Sequence, residues 1–161
     1  GGHPWLEGNS GMTFAAWQMT VPAPPFCGSY GMNENLCRPR FEGPDSSVPM
    51  SIPYTDIASL RNCASRMPLL FDCTRPSSSL SNDRVRPPQI EPSGSGGQLC
   101  INRHDGYLNG LFVDSSVRRI GLKALWTLKW HKQFNTSGEW TLAGGVTPER
   151  WPEWMRGFRD Y

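Results

Sequence analysis

The residues best suited to chemistry lie between Asn102 and Ser116: His104, Asp105 and Asp114, with Asn102 and Asn109 between them. A hairpin here could bring His104 near Asp114, and a histidine–carboxylate pair can act as a general base. The plainer reading is structural. Asp105 and Asp114 sit at turn positions, where a short carboxylate bonds local backbone N–H groups, and His104 then orients the hairpin without a substrate cavity. No nucleophile has a recognisable setting. Ser115 and Ser116 are not part of a G-x-S-x-G elbow, and Cys100 lies within an apolar run, a poor setting for a reactive thiolate. His3, His104 and His131 are too scattered to suggest a shared metal site. No glycine-rich phosphate loop is present, since Gly94-Ser95-Gly96-Gly97 follows no strand and lacks the G-K-[ST] ending. No cofactor, metal or enzymatic activity is expected. Trp5, Trp140, Trp151 and Trp154, if exposed, could instead stack on sugars.

Five cysteines, Cys27, Cys37, Cys63, Cys73 and Cys100, have no zinc-ligand spacing and suit an oxidising compartment, where disulfides brace loop-rich domains. Cys27 and Cys37 are expected to bridge, because the turn-rich segment between them lets the Cα atoms approach within about 6 Å. Cys63 and Cys73 share that spacing and form a second candidate pair. An odd thiol remains. Asn135-Thr136-Ser137 is a formal glycosylation triplet of a kind that arises by chance.

The elements that must position these residues are short. Met12 to Met19 and Ser29 to Asn33 are strand candidates, and Met67 to Cys73 reads as a buried strand covered on both faces. The prolines between Arg38 and Pro53 exclude regular structure. Thr55 then caps a short helix through Ile57, Ala58 and Leu60. Thr74 to Gly97 is a long Ser/Pro/Gly loop without periodicity. Leu99 to Arg103, Leu108 to Val113 and Val117 to Ile120, joined by tight turns at His104-Asp105-Gly106 and Asp114-Ser115, predict an antiparallel meander. Gly121 opens a helix on which Trp126 and Trp130 share a face with Leu122. A short helix near Trp151 to Phe158 is expected to fold its Trp151, Trp154 and Phe158 stripe back onto the body.

Composition bounds the rest. The 161 residues suit one domain, spanning 1–161. The 17 Gly and 15 Pro argue for short strands and long irregular loops. The sequence has no run of about 18 apolar residues that could cross a bilayer. A net charge of +2, with basic residues scattered, gives no nucleic-acid stripe. The densest basic set, Arg118, Arg119, Lys123, Lys129 and Lys132, is expected to lay its aliphatic stems over aromatic surface. The predicted fold class is α+β: an antiparallel sheet of about four strands with short helices on one face.

The segment INRHDGYLNGLFVDSSVRRIGLKALWTLKWHKQFNT, Ile101 to Thr136, resembles the C-terminal region of bacterial prepilin-like, pseudopilin-type subunits. Some of these carry His, nine residues, then Asp-Gly. His104 and Asp114 hold that spacing, with Ser115 in place of the Gly. GSYGMNENL (Gly28 to Leu36), MPLLFDC (Met67 to Cys73) and the ending WPEWMRGFRDY are similar to a large-headed subgroup of the same family.

The resemblance implies a pilin-like globular head whose N-terminal apolar helix, the only membrane-inserting part, lies upstream. The start Gly1-Gly2-His3-Pro4-Trp5, which lacks a leader pattern, fits that expectation. It implies a structural subunit of an extracellular filament or a type II secretion pseudopilus. That subunit would pair with copies of itself and other pilin-like subunits, at the cell surface after periplasm-facing assembly. The alternatives are a secreted carbohydrate-binding module using exposed Trp and, behind it, a hydrolase built on His104 and Asp114.

Overall fold

A computed structural model describes residues 8–21, 23–37, 62–91 and 97–160. The predicted helix after Thr55, His3 and Trp5 lie outside the described residues. The fold is α+β, with two sheets and single-turn helices. A small antiparallel sheet joins β1 (Gly8–Asn9), β2 (Trp17–Met19) and β3 (Phe26–Gly28) in that order. The main sheet has the order β6-β4-β5-β7-β8, from β4 (Tyr30–Asn33), β5 (Pro68–Asp72), β6 (Ser77–Ser78), β7 (Tyr107–Phe112) and β8 (Val117–Gly121). Four of its strands are antiparallel neighbours, as the patterning suggested. The fifth, β6, pairs parallel with β4, so the sheet is mixed rather than a four-stranded antiparallel one.

The departures have physical reasons. Leu99, Cys100 and Ile101 are fully buried, as the apolar run requires, yet Leu99 to Arg103 is not a strand. Both edges of β7 are occupied, by β5 on one side and β8 on the other, so the segment cannot pair beside β7 as a meander would require. Only Trp17–Met19 of the first strand candidate is extended. Met12 to Ala15 instead closes a tight turn, Met12 N–H bonding Ala15 O at 3.0 Å. The helix after Gly121 is a 3₁₀ segment, Leu122–Thr127, that ends where Leu128 turns extended. Trp130 therefore lies beyond it, and Trp126 and Trp130 share no helical face. Each is nonetheless fully buried, with its indole N–H satisfied by Val85 O at 2.7 Å and Leu125 O at 2.8 Å respectively.

The chain end does fold back. The 3₁₀ turn Pro148–Arg150 and the single helical turn α2 (Glu153–Arg156; α1 is Glu34–Cys37) bring Trp151 and Met155 into the core beside Leu108, Phe112 and Trp126. The Ser/Pro loop is built in by the same block. Leu80 is fully buried, and Val85 O and Pro88 O accept the indole N–H groups of Trp126 and Trp154.

Neither expected disulfide is formed. Cys27 is an exposed free thiol on β3; the Cys37 side chain lies outside the described residues. Cys73 is also free. Its side chain is packed against Gly31 of β4, where no Cβ would fit, and burial pushes its thiol up to about 11.

Candidate functional site

The chain around His104 is a bend, with Asp105 (φ 51°) and Gly106 (φ 83°) both left-handed, so Asp-Gly is a turn as expected. Asn102 Oδ1 accepts the Gly106 N–H at 2.6 Å and closes it. His104 does not meet Asp114. The nine residues between them contain the whole of β7, and a six-residue strand is about 20 Å long. The two therefore sit at opposite ends of it. Asp114 lies in the β7–β8 turn, where its Oδ1 accepts from Ser116 N–H (3.0 Å) and Oγ–H (2.6 Å), holding its carboxyl below the usual range. Ser115 takes the left-handed conformation (φ 67°) that Gly adopts freely.

The carboxylate that His104 does meet is Asp72, at the end of β5. His104 Nε2 lies 3.2 Å from Asp72 Oδ2, which also accepts the Asn109 N–H at 2.6 Å. Asp72 Oδ1 is 3.3 Å from Arg103 Nη1. The side chains of Asp72 and Arg103 are nearly inaccessible, whereas that of His104 is 42% exposed. Arg103 is a bracket: its guanidinium donates to Thr13 O and Ser29 O (2.6 Å each), Met12 O (3.2 Å) and Cys73 O (3.3 Å). One buried fork thus ties the Met12–Ala15 turn to the strand ends at Ser29 and Cys73. Glu91 reinforces the same turn, accepting from Thr13 Oγ1 at 2.7 Å and from the Asn102 N–H.

These groups border an open cleft of about 330 Å³ lined by Thr13, Phe14, Ala15, Ala16, Ser29, Tyr30, Asp72, Arg103 and His104. Asp72 and Arg103 were missed in the sequence because each reads as part of a strand. The available signal was a lone Asp in the apolar run MPLLFDC, since a buried carboxylate needs a partner.

The remaining candidates are dispersed. His131 is buried and bonds Ser81 O at 3.0 Å; burial lowers its pKa. Among the described residues no cluster of three metal-ligating side chains occurs. Trp140 and Trp151 are buried beside Trp126, and Trp154 is half-buried with its N–H bonded to Pro88 O. These three present no stacking platform for a sugar. Of the basic set, Arg118 lies 3.8 Å from the Phe112 ring centroid and Arg119 4.7 Å from that of Tyr107, covering aromatic surface as expected. No protein-family model, curated protein or solved structure matches the chain.

Proposed function

We propose that the chain is the globular head of a pilin-like or pseudopilin-like subunit, a structural component of an extracellular filament or secretion pseudopilus. The observation that carries this reading is where the resembling segments meet. Asn33, in the Gly28 to Leu36 segment, donates from Nδ2 to Pro68 O (3.0 Å) in the second segment and to Trp130 O (3.1 Å) in the third. Asn35 Nδ2 adds a bond to Trp130 O at 3.3 Å. Three stretches far apart in sequence are thus locked at one buried point. Residues so placed specify a fold rather than a reaction, which suits a subunit plan reused around variable loops. Asp114 has the same character, bonding the Ser116 N–H in the turn at one end of β7, while at the other end His104 contacts the side chains of Asp72 and Asn109.

In this reading an upstream apolar helix polymerises, and the head forms the surface and the lateral contacts with copies of itself and related subunits. The test is to probe sheared surface filaments and membranes of the native cells with an antibody raised against the domain. A full-length product carrying an N-terminal apolar helix is expected in those fractions. Recovery of the full-length product only from the cytosol would overturn the proposal.

A further inference from the structure

We propose that the cleft between the Met12–Ala15 turn and the Asp72–His104 pair binds a neutral saccharide. Two aromatic side chains line it with much of their surface in water: Phe14 is 87% and Tyr30 50% exposed. Aromatic faces held open beside polar groups are what a sugar ring uses, its C–H face stacking while its hydroxyls bond. The floor supplies the polar part. Nε2 of His104 is occupied by Asp72 Oδ2 (3.2 Å) and Asn109 Nδ2 (3.0 Å), which leaves Nδ1, without a protein partner among the described residues, for a ligand hydroxyl. Tyr30 and Ser29, each with a hydroxyl, line the same cleft.

Charge sets the ligand class. Among the described residues lining the cleft, the one carboxylate, Asp72, is paired with the one guanidinium, Arg103, and both are buried. Neither a cationic nor an anionic ligand finds an uncompensated partner there, so a neutral, hydroxyl-rich molecule with one apolar face fits best. The wall is also pre-organised, because Arg103 holds Met12 O and Thr13 O and thereby fixes the turn that carries Phe14. At about 330 Å³ the cleft is at the small end of ligand sites and suits a short saccharide. This site involves none of Trp140, Trp151 and Trp154, and it is independent of the assembly role.

The experiment is an amide chemical-shift titration of the 161-residue chain with cellobiose, maltose and chitobiose, and with a sulfated heparin disaccharide as the charged comparison. Saturable shifts at Thr13 to Ala16, Ser29, Tyr30, Arg103 and His104 are expected with at least one neutral sugar. Phe14→Ala and Tyr30→Ala should each weaken that binding about tenfold. Val117→Ala, on an exposed residue of the edge strand β8, should leave it unchanged. No saturable shift with any neutral sugar, or preferred binding of the sulfated one, would overturn the proposal. So would shifts at these residues that follow protein concentration alone, which would make the cleft a contact between copies.

Discussion

Asp72 shows how a single buried charge organises its surroundings. It accepts from Asn109 N–H and faces Arg103 and His104, while Arg103 spends its remaining donors on four carbonyls. Removing the carboxylate strands a buried guanidinium and a backbone donor. Asp72→Ala should therefore cost about 3–5 kcal/mol in urea unfolding, far more than loss of an exposed pair such as Arg150–Glu139. His131 provides a pH test. Burial, opposed by its bond to Ser81 O, lowers its folded pKa, whereas the unfolded chain takes up the proton near 6.5. The unfolded state thus binds more protons between the lowered value and 6.5, so stability is full above pH 6.5 and falls as pH drops below it. His131→Gln should remove that step from a plot of unfolding free energy against pH.

The C-terminal turns close one side of the core with Val146, Trp151 and Met155. Trp151 and Met155 are buried, and Lys123, itself only 2% exposed, donates to Phe158 O (2.8 Å), Arg156 O (3.3 Å) and Asp160 Oδ1 (2.9 Å). These bonds capture a tail that single-turn helices could not hold alone. Deleting residues 146–161 should destabilise the domain by several kcal/mol, at roughly 1.5–3 kcal/mol for each large apolar side chain uncovered. Lys123→Met should destabilise the whole chain but have a much smaller effect on the truncated one, because its partners are then gone. Equal effects of Lys123→Met in both backgrounds, read by thermal unfolding, would show that the lysine does not act through the tail.

At the scale of the molecule, the Asn33 contact joins the β4, β5 and Trp130 segments across nearly a hundred residues of chain. Asn33 is fully buried, and its Oδ1 also accepts the Asn35 N–H at 3.1 Å. Asn33→Ala should cost about 2–3 kcal/mol, since it leaves buried backbone groups short of a partner. Amide exchange should rise together in β4, β5 and the stretch around Trp130. Faster exchange in β4 alone would mean that the contact is local and that the three segments do not act as one unit.

Local signals determined much of this fold. The apolar run before Asp72 and most of the run from Leu108 to Val113, as far as Phe112, are strands, the Asp-Gly pair is a turn, and the Trp-rich ending is core, because each follows from burial and backbone preference over a few neighbouring residues. What tertiary structure decided were the partners. A strand needs a free edge, and the buried run Leu99 to Arg103 could not pair with β7 once β5 and β8 had taken both its sides. A charge needs compensation, and Asp72 found it in Arg103 and His104 across thirty residues, while the nearer-looking Asp114 was carried to the far end of a strand. Spacing along the chain states what a residue type can do. Which side chains meet depends on strand order and on the cost of burying an unpaired group, and neither is a property of any one segment.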